Sequence, residues 1–292
     1  MELWFIYALL STLGGGFFTF TQRIAAKRNY DTSLFSAVAA AVASIFGFTV
    51  AFAVDGLLGW SWLLLGYAVL NGFFYALGSI TRMESLRFMD ATLFFPLFKL
   101  LAPFFVVISG LIFFAESLST AEWIGVTLSL LVPLLLISNV ERTRQENLLK
   151  GLLFLLFCSF FIAISASFGK QGAIVVTHLF LFAALTNFFS FISSLGIYFY
   201  KHRATTTTTA ERLRALRGPQ LSLVLLSGFF QFFGIFMITL AFAEGPLSLA
   251  YTINSLYILI PIVLSIIFYN EHWNLRKALA IILSIAALGF IH

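Results

Sequence analysis

The chain has 292 residues, of which 61% are hydrophobic and only 10% are charged. Soluble globular domains carry about 25% charged residues, so this composition excludes a soluble protein. The formal net charge is +5, but the basic residues are scattered over the connections between apolar segments, where they orient a chain in the bilayer. They do not indicate nucleic-acid binding.

Ten apolar segments follow one another along the chain, and most of their connections are short. A helix needs ~20 mostly apolar residues to cross ~30 Å of hydrocarbon. The segments lie at 3–21, 33–54, 60–80, 91–115, 121–140, 151–168, 177–200, 221–243, 247–269 and 275–291. They predict an all-α integral membrane protein with ten transmembrane helices, a multi-pass protein of the cell (inner) membrane.

The first and third spans carry small and polar residues on one side. Three glycines at 14–16 are expected to permit close approach of another helix. Asn71, Tyr75 and Ser79 recur every four residues in the third span, so they share a helix face, as the wall of a cavity would. Contact with a ligand and simple hydrogen bonding between helices both remain open for Asn71 and Tyr75.

The fourth span contains a cation, Lys99, nine residues from its start. At ~1.5 Å per residue this places the amine ~13 Å deep, where burying a charge costs at least about 2.5–3.5 kcal/mol. Pro103 lacks the N–H that would bond the carbonyl of Lys99, so it is expected to kink the helix and act as a hinge. Lys99 is predicted either to contact or couple to a substrate, or to pair internally with backbone carbonyls or Asn254.

The turn after the fourth span, FFAESLSTAEW, has a counterpart after the ninth, IFYNEHWNLRKA. Ser119 and Glu122 fit a capping box that opens the fifth helix. Glu116 and Glu271 close the preceding spans and are expected to fix tight helical hairpins. A direct role in transport is the alternative for these two carboxylates.

The second half of the chain adds further candidates for a binding site. Asn187 lies in the seventh span and Gln231 in the eighth, while Tyr251, Asn254 and Tyr257 lie in the ninth. Pro261 frees the carbonyl of Tyr257 and is a second predicted hinge. The intervening connection, 201–219, contains five threonines and several basic residues and is predicted to be a flexible tether.

The chain also repeats itself. The stretch NGFFYALGSI aligns with SGFFQFFGIF, and the two glutamate turns align with each other, so residues 1–143 and 144–292 are predicted to be two five-helix repeats in one membrane unit. Asn254 then occupies the position of Lys99, and Gln231 that of Tyr75. An odd number of spans turns the second repeat upside down, which is typical of secondary transporters.

These features resemble the drug/metabolite transporter superfamily, EamA type. The resemblance is carried by PLFKLLAPFFVVISGLIFFAESLSTAEWIGV and GPLSLAYTINSLYILIPIVLSIIFYNEHWNLRKALAI. It implies a carrier of small metabolites or drugs, commonly an exporter. It also implies a central cavity lined by the first four spans of each half, and cytoplasmic termini.

Charge distribution favours the opposite orientation. Fifteen basic residues fall in the odd-numbered connections, and only Lys170 falls in an even-numbered one. Cytoplasmic loops are enriched in Lys and Arg, so this count predicts that both termini lie outside.

The function predicted from these residues is secondary transport by alternating access. No Asp or Glu lies deep in any predicted span, so the buried Lys99 favours anionic or zwitterionic solutes. A flippase for lipids or lipid-linked sugars is the alternative. The four histidines lack metal-ligand or catalytic-triad spacing, and there is no Gly-rich phosphate loop. We therefore expect no enzyme activity, no metal and no cofactor, and a monomer or homodimer whose partners are lipids and a small-molecule substrate.

Overall fold

The computed structural model describes residues 2–28, 32–55, 59–89, 91–136, 148–202, 219–260, 263 and 275–292. This part of the chain contains ten α-helices and no strand. The helices are α1 Leu3–Lys27, α2 Thr32–Asp55, α3 Trp62–Phe88, α4 Ala91–Phe113, α5 Thr120–Leu136, α6 Leu148–Val175, α7 Leu179–His202, α8 Pro219–Glu244, α9 Leu247–Ser255 and α10 Leu275–Ile291. A 3-10 turn, Leu256–Ile258, follows α9 directly.

Seven of these helices (α1–α4 and α6–α8) are long and apolar enough to cross a membrane. Large apolar side chains cover their outer faces; Ile112, for example, is 69% exposed and Phe113 75% exposed. Such a surface is unfavourable in water and favourable against lipid chains. The protein is therefore a multi-pass membrane protein.

Several helices are longer than predicted, and in α3 and α6 this changes the place of a cation. The third span was expected to end at residue 80 and the sixth to cover 151–168, but α3 runs to Phe88 and α6 covers Leu148–Val175. Assigning Arg82 and Lys170 to connections was therefore wrong, because both lie within helices and are buried. In the sequence, a cation near the end of an apolar run looks the same whether it points to water or to the protein interior.

The helices pack mainly against helices of the other half. The largest contacts are α3 with α6, α1 with α8, and α2 with α7, followed by α5 with α10. If each helix is replaced by the helix five positions along in the other half (α1 by α6, α3 by α8 and so on), the same pairs of helices are in contact. The lesser contacts follow the same rule, since α3–α7 corresponds to α8–α2, and α4–α6 to α9–α1.

Glycine permits the closest of these contacts, between α1 and α8. A Cβ atom built on Gly14 would lie 2.7 Å from the Cα of Gly234, too close for any real side chain. The expectation that the glycines at 14–16 permit close approach is met at this crossing.

The turn between α4 and α5 ends in the predicted capping box. The Ser119 N–H donates to Glu122 Oε2 at 2.6 Å, and the Glu122 N–H donates to Ser119 Oγ at 3.3 Å, which is the capping box that opens α5. Ala115 adopts φ 50°, a left-handed conformation that is uncommon without glycine, at the point where the chain leaves α4.

Candidate functional site

A cavity of about 130 Å³ lies between the two halves of the chain. Helices α1, α3 and α4 of the first half line it, together with α6, α7, α8 and the α9 segment of the second half. Aromatic and aliphatic side chains make up much of the wall, among them Phe18, Phe98, Phe230 and Phe242. The polar lining residues are Ser11, Asn71, Tyr75, Arg82, Ser165, Thr186, Gln231, Thr239, Tyr251, Asn254 and Tyr257.

The structure brings six of the eight predicted substrate-binding residues to this cavity. They are Asn71, Tyr75, Gln231, Tyr251, Asn254 and Tyr257. The other two, Lys99 and Asn187, lie behind the lining and touch residues that form it.

Lys99 is buried, with 3% of its surface exposed, and its partner is an aromatic ring. Its Nζ lies 3.1 Å from the centroid of the Tyr257 ring and 5.2 Å from that of Phe98. A cation over a ring face is held by the negative face of the π-system. Tyr257 is therefore the internal partner of Lys99, in place of the backbone carbonyls or Asn254 considered from the sequence.

Asn254 is held by the first helix. Its Nδ2 donates to Ser11 Oγ at 2.7 Å, and both residues line the cavity. The 3-10 turn begins two residues later, at Leu256. There the Leu259 N–H donates to the carbonyls of Leu256 and Tyr257, so the carbonyl freed by Pro261 has a donor.

Asn71 joins three helices at the wall of the cavity. Its Oδ1 accepts a hydrogen bond from Ser165 Oγ of α6 at 2.6 Å, and its Nδ2 donates to Thr186 Oγ1 of α7 at 3.5 Å. Gly169 of α6 lies directly against the amide. The side chain is thus both a lining group and a link between the halves.

Asn187 supports the wall from behind. Its Nδ2 donates to the carbonyl of Ala183 at 2.9 Å, and its Oδ1 accepts from Gln231 Nε2 at 3.0 Å. Gln231 lines the cavity, so Asn187 sets the direction of the Gln231 amide.

Arg82 is a lining residue that the sequence analysis did not identify. It is 8% exposed, and its Cζ lies 5.1 Å from the centroid of the Phe98 ring. Its Nε is buried without a hydrogen-bond acceptor, one of two such side-chain atoms in the described part of the chain. The helical spacing that joins Asn71, Tyr75 and Ser79 continues to position 82 and was the signal available for it.

Glu116 and Lys170 both form hydrogen bonds with the backbone at the corner where α8 ends and α9 begins. The carboxylate of Glu116 accepts hydrogen bonds from the N–H groups of Leu247 and, at 3.0 Å, Ser248, which begin α9. The ammonium of Lys170 donates to the carbonyls of Phe242 and Gly245, each at 2.6 Å. Each charge thus binds the helix end of opposite partial charge. Glu116 holds a helix of the other half rather than only its own hairpin.

Of the two predicted hinge prolines, only Pro103 lies among the described residues. Pro103 is buried inside α4, which continues from Ala91 to Phe113. Pro261, Glu271 and most of the 201–219 connection lie outside the described residues. Among the residues described, no three or more His, Cys, Asp or Glu side chains are grouped to hold a metal.

Comparison with known proteins finds a family match in the second half of the chain. The model of the EamA-like transporter family matches residues 149–292. No curated protein matches the chain. One solved crystal structure of a protein has the same fold with a TM-score of 0.74 at 13% identity, covering 96% of this chain and 95% of that one. The second half of the chain therefore carries a match to the EamA-like transporter family.

Proposed function

We propose that the protein is a secondary transporter that carries small anionic or zwitterionic solutes across the cell (inner) membrane by alternating access. The observation that carries the proposal is the cavity itself, which has polar and aromatic walls and a cation among its lining residues. None of the described residues that line it is an aspartate or a glutamate.

The proposed architecture is ten spans in two inverted five-helix repeats, residues 1–143 and 144–292. The pairing of helices supports it, because the contacts keep their pattern when the halves are exchanged. Five spans per repeat would place the second repeat upside down, as in other carriers built from repeats. The cavity between the repeats is where such carriers bind their solutes.

In the proposed transport cycle the halves rock about the cavity and expose it to each side in turn. The corner held by Glu116 and Lys170 belongs to one closed face, and its hydrogen bonds have to break when that face opens. Pro103 and Pro261 are the proposed hinges. The 3-10 turn at Leu256–Ile258 supports this role, since it interrupts regular helix close to Pro261. Export is the proposed direction.

The size of the cavity favours a small solute over a lipid. Its volume is about 130 Å³, and an apolar cavity of about 150 Å³ holds a molecule such as benzene. A lipid-linked sugar is many times larger. We therefore place the transporter of small solutes ahead of the flippase.

Counterflow in proteoliposomes tests this function. Vesicles that contain the purified protein are loaded with an unlabelled mixture of small carboxylates and amino acids and diluted into trace labelled solutes. A carrier accumulates label transiently and saturates with concentration, and we expect both for at least one anionic or zwitterionic solute. Flux that is linear in concentration, without accumulation, would indicate a channel and overturn the proposal.

A further inference from the structure

We propose that Arg82 binds the carboxylate of the transported solute, and that this solute is a small monocarboxylate whose apolar body lies against the aromatic wall of the cavity. The inference deepens the proposed function and rests on it. It assigns the anion to a residue other than Lys99, which the sequence alone favours.

The first step is that Arg82 is a buried charge without an anionic partner among the described residues. The residue is 8% exposed, and its Nε has no hydrogen-bond acceptor in the described part of the chain. Its electrostatic neighbours there are Tyr257, Cys158 and Tyr75, none of which is a carboxylate. A buried ion that lacks a partner is strongly unfavourable, so the cavity is suited to an anion that supplies one.

The second step is that Arg82 retains donors for a solute: Cys158 takes one of its hydrogen bonds, while its Nε has no acceptor in the described part of the chain. Its contact with Phe98, 5.1 Å from Cζ to the ring centroid, is a cation–π contact, which uses no N–H group. Phe98 and Arg82 both line the cavity. A guanidinium held in this way can offer two parallel N–H donors to a carboxylate, the geometry in which arginine binds most strongly.

The third step is that Lys99 serves a different purpose. Its ammonium lies 3.1 Å from the centre of the Tyr257 ring and is not among the lining groups of the cavity. Tyr257 itself does line the cavity. Lys99 is therefore a positioning residue for Tyr257, and Arg82 is the cation that a solute meets.

The fourth step concerns charge and size. Arg82 is the one cationic side chain among the described lining residues, which matches a solute with a single negative charge. The volume of about 130 Å³ fits a body with the dimensions of a benzene ring or a branched four-carbon chain. Phe18, Phe230 and Ile238 supply apolar surface for that body.

Binding of matched acids and amides to the purified protein tests the assignment. The probes are benzoate with benzamide, and 3-methylbutanoate with 3-methylbutanamide, and the readout is the dissociation constant from ligand-dependent thermal shifts. The amide has nearly the shape of the acid but no charge. We expect the wild type to bind at least one acid about tenfold or more tightly than its amide, because hydrogen bonds to charged groups are the strong ones.

Three variants separate the guanidinium from other effects. Arg82→Gln is expected to abolish the preference for acid over amide. Arg82→Lys keeps the charge and is expected to keep the preference but to bind the acid about tenfold more weakly, because lysine lacks the planar fork. Lys150→Gln removes the same charge from an exposed position of α6 and is expected to change neither value.

Each of these results either supports or overturns the assignment of Arg82 as the carboxylate-binding residue. The ratio of acid to amide affinity is measured within one variant, so a modest loss of stability does not affect it, and Arg82→Lys serves if Arg82→Gln does not fold. An unchanged preference in Arg82→Gln, or wild-type affinity for the acid in Arg82→Lys, overturns the assignment. Absence of any acid preference in the wild type overturns it too.

Counterflow distinguishes this failure from failure of the transport function. Benzoate counterflow that persists in Arg82→Gln overturns the role of Arg82 and leaves transport standing. Acid binding that depends on Arg82, without counterflow of the same acid, contradicts transport and leaves the carboxylate site standing.

Discussion

Lys99 and Tyr257 form a pair that joins the two halves of the protein. The buried ammonium of α4 lies over a half-buried ring from the 3-10 turn of the second half. Without this ring, the charge would remain in a low-dielectric interior with only the more distant ring of Phe98 beside it. Removing one partner is therefore expected to cost more stability than the interaction energy of the pair itself.

Variants of the two residues are therefore expected to differ in their effect on stability. Tyr257→Phe keeps the ring face and is expected to leave the melting temperature of the purified protein nearly unchanged. Tyr257→Leu strands the ammonium and is expected to cost about 2 kcal/mol or more of unfolding free energy. The double variant Lys99→Met with Tyr257→Leu is expected to recover much of that loss. Additive effects of the two substitutions would show that the side chains are not coupled.

Helix α1 depends on glycine where it crosses α8. A Cβ on Gly14 would meet the backbone of Gly234 at 2.7 Å, and backbone cannot rotate away as a side chain can. Gly66 in α3 offers the contrast, because a Cβ there has no neighbour within 4 Å. The same substitution therefore has opposite consequences in the two helices.

Gly14→Ala is expected to lower stability by about 1–3 kcal/mol, the usual cost of overpacking. Gly66→Ala is expected to be neutral or to stabilise the protein by up to about 1 kcal/mol, since alanine is the better helix former. Thermal unfolding of both variants in the same detergent is the measurement. Equal melting temperatures for the two variants would contradict the close crossing.

Sequence patterns predicted the helices well and their ends less well. Apolar runs locate α1 to α8 because hydrophobic length alone decides what crosses a bilayer. The ends of α3 and α6 were misplaced because other helices form the surroundings of Arg82 and Lys170: the ring of Phe98 lies beside Arg82, and the carbonyls of Phe242 and Gly245 bind Lys170. A pattern along the chain does not contain such partners.

The binding site could also be predicted only in part, because sequence patterns do not show which helices contact each other. Helical spacing put Asn71 and Tyr75 on one face, and the alignment of the halves added Gln231 and Asn254, all of which line the cavity. Spacing cannot tell whether Lys99 points into the cavity or onto the ring of Tyr257. That choice depends on how α4 packs against the α9 segment, which is a property of the tertiary structure.

The orientation of the whole molecule in the membrane is the remaining prediction. Lys and Arg concentrate in the odd-numbered connections even after Arg82 is removed from the count, so both termini are expected outside. A tag at the C-terminus should be labelled by an impermeant reagent on intact cells, and a tag inserted at 137–147 only after permeabilisation. The reverse pattern would support the cytoplasmic termini that the family resemblance implies.

The exchange of helix partners between halves has a consequence for biosynthesis. Asn71 finds Ser165 and Thr186 only in the second half, and α1 finds its glycine contact only in α8. Ribosomes add about 5–20 residues per second, so the earlier helices wait for many seconds in the bilayer with these polar faces uncovered. We therefore expect the nascent chain to depend on the insertion machinery or on chaperones during that interval, and a chain truncated after α5 to be a ready substrate for membrane quality-control proteases.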